Sequence, residues 1–224
     1  PVVFAVQDAV DGHILGDATV AIQGIPTVLE QGYYVGVMPQ GTYNVSCSYA
    51  AGAYKPQQRT GVTLTAGSVV EVNFLLSPET YLLTVQSDYG NALGAGEYVR
   101  GAVAQWSVTT PWPSQAGENG TRRVASADAG TLAMTQDATI TVNWTVQHKL
   151  AVTSSAGGHV TVAPNTPPWF AEDTQLGLTP VPDTGYAFTE WTGDVPTGQE
   201  NAIPLVLGMD APKTVQAAFH SVSY

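Results

Sequence analysis

The stretch MDAPKTVQAAF, Met209–Phe219, decides the fold because a near copy of it occurs earlier in the chain. The earlier copy is MTQDATITVNW, Met134–Trp144, and it aligns without a gap at an offset of 75 residues. Each copy has a methionine, a turn that contains aspartate, and an alternating strand that ends in an aromatic residue. The segments Leu83–Val85 and Leu150–Val152 also match, at an offset of 67. Self-similarity at a near-constant period predicts two copies of one structural unit.

Alternation of apolar and polar residues with period two extends over most of the remaining sequence. It is clear in residues 70–76 and again in residues 139–146, where one predicted strand carries Ile140, Val142, Trp144 and Val146 on one face. Helical periodicity is nearly absent, and 23 glycines and 15 prolines interrupt the chain at short intervals. Short alternating strands with frequent turn signals are typical of β-sandwiches and barrels. We therefore predict an all-β fold.

Two positions are candidate domain boundaries. The first is Ser77–Thr80, where Pro78 cannot donate a ladder hydrogen bond. The second is Gln147–His148, between the strand that contains Trp144 and the strand that contains Leu150. These boundaries predict three tandem small β domains, with residues 1–78, 79–147 and 148–224.

Composition and charge exclude several functional classes. The 224 residues include 7 Lys+Arg and 18 Asp+Glu, so the net charge is −11. Nucleic-acid binding and binding to anionic membranes both require clustered cations, and we predict neither. No apolar run approaches the roughly 20 residues of a membrane span, so we predict none. No phosphate-binding glycine loop or nucleophile elbow is present, so we expect no cofactor and no enzymatic activity.

The C-terminal copy resembles a known family. It contains GYAFTEWTGD at Gly185–Asp194, followed by the Met209–Phe219 strand. This pattern is similar to the divergent internalin-type B-repeat, or bacterial repeat domain, of microbial surface proteins. The middle copy keeps the Met134–Trp144 strand but reads VASAD at Val124–Asp128, where the family has Trp-x-Gly-Asp. Its assignment to the family therefore depends on the internal repeat.

The first 78 residues resemble a second family. The segments that carry the resemblance are Asp11–Gly12, Leu15–Val20, Gln31–Tyr34, Pro39–Tyr43, Tyr54–Pro56 and Ala66–Gly67. They are similar to a carboxypeptidase-regulatory-like domain, a sandwich of the transthyretin or immunoglobulin-like type. Both resemblances imply modules of secreted or cell-surface proteins that act as spacers, stalks, adhesion units or assembly units without catalysis of their own.

The first functional hypothesis is an extracellular structural subunit that forms a filament, stalk or surface array. Small open sandwiches have unpaired strand edges, which pair readily with another chain. The apolar N-terminal segment contains the candidate strand-exchange residues Val2, Val3, Phe4 and Val6. This segment would either be donated to a neighbouring chain or form the first strand of its own domain. Self-association or binding to other surface proteins follows from this hypothesis.

The alternative hypothesis is an adhesin or a glycan-binding accessory module of a larger secreted protein. Its candidate contact residues are Trp112, between Pro111 and Pro113, and Trp169 with Phe170, after Pro167 and Pro168. A stiffly held aromatic ring can stack on a sugar, but it can also fold back over a sandwich edge. Both interpretations of these residues remain open.

Three sequons predict N-glycosylation sites if the source organism modifies secreted chains. They begin at Asn44, Asn119 and Asn143. Alternation places Asn44 and Asn143 on the side away from the core. The chain would then be a glycoprotein, although sequons also arise by chance in sequences rich in Thr and Asn.

We predict no metal site, since none of the four histidines is paired at ligand spacing. Calcium binding near Asp8 and Asp11, or at Glu172–Asp173, is the alternative to solvated loop acids. Cys47 is the only cysteine, and alternation places it on the inward face as a small apolar residue rather than a reactive thiol. No lysine lies on the predicted first strand, where an isopeptide cross-link would begin.

Overall fold

The computed structural model describes residues 1–113, 119–164 and 168–222. In these ranges the chain is almost entirely β, which confirms the predicted fold class. The helical structure among the described residues is a 3₁₀ turn at Ala50–Gly52, so no helix there is long and apolar enough to cross a membrane. The strands are β1 (Val2–Asp8), β2 (Ala18–Ile22), β3 (Ile25–Pro26), β4 (Val28–Glu30), β5 (Tyr33–Gly36), β6 (Gly41–Tyr49), β7 (Gln57–Leu64), β8 (Val70–Leu76), β9 (Thr80–Gln86), β10 (Gly96–Val99), β11 (Val103–Ser107), β12 (Thr121–Ala125), β13 (Ala129–Ala133), β14 (Ala138–Thr141), β15 (Trp144–Ser154), β16 (Gly158–Ala163), β17 (Trp169–Ala171), β18 (Gln175–Pro182), β19 (Tyr186–Gly193), β20 (Leu205–Gly208) and β21 (Lys213–Ser221).

The N-terminal strands form a sandwich of two four-stranded sheets. Their strand orders are β4-β5-β1-β8 and β3-β2-β6-β7. Strands β1 and β8 run parallel, and each buries alternate residues, which confirms the alternation predicted for residues 70–76. Phe4 and Phe74 are completely buried, with ring centroids 6.2 Å apart. Burial of an aromatic side chain of this size stabilises the fold by about 1.5–3 kcal/mol.

Contacts divide the chain into two compact units. The first unit contains residues 1–84, 96–104 and 132–138, and the second contains residues 85–95, 105–131 and 139–224. The predicted middle module therefore contributes strands to both units, through small sheets of order β10-β9-β14 and β11-β13. The division into three modules stays a prediction.

The C-terminal strands form a second sandwich with its own core. One sheet has the order β12-β15-β21-β19, with β17 also paired to β15, and the other has the order β16-β18-β20. The buried core residues are Leu150, Phe170, Leu176, Leu178, Trp191, Leu205, Leu207, Met209, Val215 and Ala217.

Strand β15 crosses the predicted boundary at Gln147–His148 without a turn. Its first part, Trp144–His148, pairs antiparallel with β12, and its second part, Leu150–Ser154, pairs parallel with β21. The predicted strand over residues 139–146 is instead divided at Val142 and Asn143. The peptide groups of these two residues bond to Gln86 and Ser126. The inward direction of Val142 and the outward direction of Asn143 are nevertheless as expected.

The Trp-Thr-Gly-Asp segment of the C-terminal copy has a clear structural role. Trp191 is buried in the core, and its indole N–H donates to the Ala202 carbonyl at 2.8 Å. Gly193 has a φ of +95°, and a Cβ there would collide with the Thr214 carbonyl oxygen, so the position requires glycine. Asp194 accepts a hydrogen bond from the Thr214 amide at 2.7 Å. The segment therefore joins β19 to β21 at the end of their pairing.

Candidate binding surfaces

Trp169 and Phe170 lie next to each other on β17, but their side chains point to opposite faces. Phe170 pairs with His148 and is only 5% exposed, within the C-terminal core. Trp169 pairs with Lys149 on the outer face and is half-buried. Pro167, which precedes them in the predicted motif, lies outside the described residues. Phe170 is therefore a core residue in this structure and is not available to a ligand.

Arg122 covers one face of the Trp169 ring. Its guanidinium carbon lies 4.5 Å from the ring centroid, a cation–π distance, and its Nε donates to Gln147 Oε1 at 2.9 Å. Desolvation lowers the pKa of Arg122 from its usual value. A sugar could not stack on this face of the indole without displacing the guanidinium.

Trp112 extends the edge of β12 through its backbone. Its N–H and C=O form two hydrogen bonds with Arg123, both 2.8 Å long. Opposite partners in an antiparallel bridge share a face. Trp112 therefore lies on the face of Arg123, whose guanidinium stacks on Tyr89 at 4.5 Å. Since Arg122 and Arg123 alternate along β12, Trp112 and Trp169 lie on opposite faces and do not form one binding surface.

The three sequon asparagines are all exposed. Asn44 lies on β6 and points away from the core, while its backbone carbonyl accepts the Gln23 amide. Asn119 precedes β12, and Asn143 lies between β14 and β15. The structure therefore leaves all three accessible, and their glycosylation stays a prediction.

The N-terminal segment is paired on both sides within its own sandwich. Strand β1 lies between β5 and β8, with Val2, Phe4 and Val6 buried and Val3 on the opposite face. In this arrangement the segment is the first strand of its own domain. Strand exchange would require β1 to leave both neighbours and expose three core residues.

The two edges of this N-terminal sheet differ. At the β8 edge, Gln57 Nε2 donates to the Leu75 carbonyl at 2.5 Å and Arg59 donates to the Asn73 carbonyl at 3.1 Å. At the β4 edge, Val28 is 62% and Leu29 is 45% exposed. No side-chain donor among the described residues bonds to a β4 carbonyl. The β8 edge is thus capped, and the β4 edge is open.

Apolar residues surround the open edge. Ile25, Tyr33 and Val37 are exposed there, and Val37 is 81% exposed. A groove of about 230 Å³ lies beside Ile25 and Val37. Its lining is mostly apolar, with Ile22, Val28, Val35 and Met38, and also includes Thr27 and Glu30. Exposed apolar side chains beside an open strand edge are typical of an interaction site. The term β4 edge is used for the open edge of strand β4 together with the exposed side chains of Ile25, Val28, Leu29, Tyr33 and Val37.

Asp8, Asp11 and His13 form a cluster whose ligand atoms lie within 4.8 Å of one another. Asp8 is buried, and its carboxylate accepts the Tyr54 hydroxyl at 2.7 Å and the Val10 amide at 2.5 Å. These hydrogen bonds lower the pKa of Asp8. The hydrogen bond between Tyr54 and Asp8 also raises the pKa of Tyr54 to about 12. Both oxygens of Asp8 therefore accept hydrogen bonds from the chain, which stabilise the turn after β1, and calcium binding at this cluster stays a prediction.

The acidic pair Glu172–Asp173 lies in a different environment. Glu172 Oε1 lies 3.6 Å from the buried His148 Nε2, which has no hydrogen-bond partner, while His148 Nδ1 lies 3.0 Å from the Thr121 hydroxyl. Asp173 occupies a left-handed position with a φ of +65°. The contact between Glu172 and His148 could not be predicted from spacing, because the two residues meet only when β17 pairs with β15.

Cys47 is fully buried in the N-terminal core, as alternation predicts. Burial raises the pKa of its thiol to about 11, so the thiolate is scarce at neutral pH. Cys47 therefore acts as a small apolar core residue.

Comparison with known proteins supports part of this picture. Residues 148–223 match the family model of the divergent InlB B-repeat domain, which confirms the resemblance predicted for the C-terminal copy. Domains of this type occur in bacterial surface and secreted proteins. No curated protein matches the sequence. The resemblance of residues 1–78 to a carboxypeptidase-regulatory-like domain stays a prediction.

Among solved structures, the chain is similar to the Bacillus anthracis TIE protein. The identity is 11% and the TM-score is 0.39, and the alignment covers 99% of this chain and 51% of that protein. The chain therefore spans about half the length of that protein.

Proposed function

We propose that this chain is a non-catalytic structural module of an extracellular bacterial surface protein and that copies of it associate through the β4 edge. Residues 148–223 match a family whose domains are typically structural rather than catalytic and occur in surface and secreted proteins. The observation that carries the association is the exposed apolar cluster at the open edge of the N-terminal sheet.

The contrast with the opposite edge of the same sheet supports this assignment. An uncovered strand edge presents free N–H and C=O groups to another strand, and proteins that remain monomeric usually protect such edges. The β8 edge has this protection from Gln57 and Arg59. The β4 edge lacks it and carries Val28 and Leu29 in exposed positions.

A second copy of the chain is the partner that fits this edge. Antiparallel pairing of β4 with the β4 of another copy would be two-fold symmetric and would join two four-stranded sheets. In a register centred on Leu29, Val28 of one copy faces Glu30 of the other, so the two carboxylates do not oppose each other. Burial of the apolar side chains would supply the driving force.

The test compares the two edges by sedimentation velocity and light scattering over a range of protein concentrations. The Leu29→Lys variant places a charge at the open edge, and we expect it to weaken association at least about tenfold, as desolvating an unpaired lysine is costly. Leu75→Lys is the matched control, because Leu75 is also exposed but lies on the capped β8 strand. A wild-type chain that remains monomeric at high concentration, or equal effects of the two variants, would contradict the proposal.

The alternative of glycan contact by Trp112, Trp169 and Phe170 as a common aromatic surface has less support. Phe170 is buried, and one face of Trp169 is covered by Arg122. Trp112 lies on the other face of β12. An adhesin function through these rings stays a prediction.

A further inference from the structure

The few cations of this acidic protein are unevenly distributed. Only 7 of the 224 residues are Lys or Arg, yet Arg122, Arg123 and Lys149 lie on the neighbouring strands β12 and β15. Arg59 and Arg100 instead bond to backbone carbonyls, and Lys213 pairs with Asp210.

Strand register places two of these cations on one outer face. Arg122 lies opposite Gln147, and Lys149 lies opposite Trp169. Gln147 and Lys149 are two residues apart on β15 and therefore point the same way, about 7 Å apart along the strand. The side-chain contacts of Arg122 with Gln147 and Trp169 agree with this arrangement. We call Arg122, Gln147, Lys149 and Trp169 the basic face.

Neither cation of the basic face is neutralised by an acid of the described residues. The ion pairs among the described residues join His13 to Asp11, His148 to Glu172, and Lys213 to Asp210. Glu172 is the acid that follows β17, and it contacts His148, whose side chain points away from the basic face. An unpaired guanidinium that is partly desolvated gains more from an anionic ligand than a fully hydrated one does.

The basic face also has hydrogen-bond donors available to a ligand. Arg122 uses its Nε for Gln147 Oε1, which leaves its two terminal amino groups and the Gln147 amide nitrogen as donors. Lys149 is exposed two residues beyond Gln147, on the same face of the strand. The donors thus lie on neighbouring positions of the outer face of β12 and β15, with Trp169 on the adjacent strand β17.

We propose that the basic face binds an acidic polysaccharide through the carboxylates of its uronic acid units. Arg122 and Lys149 bind the carboxylates, Gln147 donates to a hydroxyl, and the exposed edge of Trp169 contacts sugar carbons. An amide and an indole beside two cations suit a ligand with alternating charged and hydroxyl groups better than a uniformly charged peptide. Arg122 remains on the Trp169 ring, so no stacked sugar is required.

The net charge of −11 does not prevent such binding at physiological ionic strength. The Debye length is then about 8 Å, so acids elsewhere on the surface are largely screened from a ligand on the basic face. The same screening weakens the contacts with the ligand, and we expect affinity to fall as salt increases.

The experiment measures binding of the whole chain to polygalacturonate, a uronic acid polymer, by biolayer interferometry at low and physiological salt. Lys149→Gln is the test variant, because Lys149 is exposed and its side chain forms no hydrogen bond or ion pair with the described residues. Loss of a charged hydrogen bond predicts about tenfold weaker binding. Lys55→Gln changes the net charge equally at an exposed lysine of the other unit, and it should leave binding unchanged.

Two further probes separate the ligand classes. Neutral dextran should not bind, and polyglutamate should bind much more weakly than polygalacturonate. Equal binding of polyglutamate would overturn the assignment to a saccharide, since the face would then recognise acidic peptides. No wild-type binding to polygalacturonate, or the same loss in Lys149→Gln and Lys55→Gln, would overturn the site itself. None of these outcomes depends on association through the β4 edge.

Discussion

In the C-terminal copy of the repeat, Trp191 is 1% exposed and belongs to a core cluster of ten buried residues. In the middle copy, the described residues that are buried and apolar are Leu83, Ala104, Val108, Met134 and Val142. Its Trp144 is half-buried, donates to the Ser87 hydroxyl at 3.0 Å, and meets Tyr89 edge-on at 5.8 Å. The middle copy therefore depends more on aromatic and hydrogen-bonded contacts near the surface.

The two copies nevertheless share their packing pattern. Met134 and Met209, which align in the repeat, are both completely buried. Gly90 lies beneath the ring of Trp144, and Gly158 lies beneath the ring of Phe219, the residue that aligns with Trp144. The comparison shows that the buried methionine and the contact between a glycine and an aromatic ring persist, while the buried tryptophan belongs to one copy.

The largest difference in stability between the two copies should come from replacing Trp191 and Trp144 by alanine. Trp191→Ala removes a fully buried ring, and we expect a loss of about 3–5 kcal/mol in the free energy of unfolding. Trp144→Ala removes a half-buried ring, and its loss should be clearly smaller. Urea denaturation followed by circular dichroism measures both, and equal losses would contradict the contrast between the copies.

Substitution of Gly90, the glycine beneath Trp144, should have an intermediate effect on the free energy of unfolding. Gly90→Ala would place a Cβ 2.5 Å from the Thr109 carbonyl oxygen at a φ of +79°, and we expect a loss of about 1–3 kcal/mol. Gly185→Ala is the matched control, because Gly185 has a φ of +84° and nothing within 4 Å of the new Cβ. Any loss in Gly90→Ala beyond that of the control measures the close packing. If the two variants are equally stable in urea, the ring contact has no energetic role.

The smallest effect on stability should come from removing an ion pair that the C-terminal copy has and the middle copy lacks. Lys213 lies 2.7 Å from Asp210, whereas Thr135 and Ala138 occupy the aligned positions of the middle copy. The hydrogen bond from Lys213 lowers the pKa of Asp210 below its ordinary value of 3.8. A lowered carboxyl pKa in the folded state means that the pair stabilises the fold above about pH 4 and that this contribution is lost as pH falls through the lowered pKa.

Lys213→Ala should therefore destabilise the protein slightly at pH 7, and the difference from wild type should disappear at low pH. Added salt should also reduce the difference, because the pair is solvent-exposed on the Asp210 side. Thermal unfolding at several pH values measures it, with Lys55→Ala as the control. A difference that persists after Asp210 has been protonated would assign the effect to the lysine side chain's packing instead.

The repeat, the alternation and the inward position of Cys47 could be predicted from the sequence. Each of these depends on local periodicity, since successive side chains of a strand point to opposite faces. The proline-flanked motif left open whether Trp169 and Phe170 contact a ligand or pack over a sandwich edge. It could not predict that pairing of β17 with β15 buries Phe170 in the core.

The sequence by itself determined that this protein is an all-β chain with an internal repeat and that its residues 148–223 match the divergent B-repeat family model. Only the tertiary structure decided that β15 continues through a predicted boundary, that the β8 edge is capped while the β4 edge is open, and that Arg122 covers Trp169 beside Lys149. The physical reason is that alternation specifies which face a residue takes within its own strand. Which strands become neighbours, and which edge remains unpaired, depends on contacts between residues that are far apart in the chain.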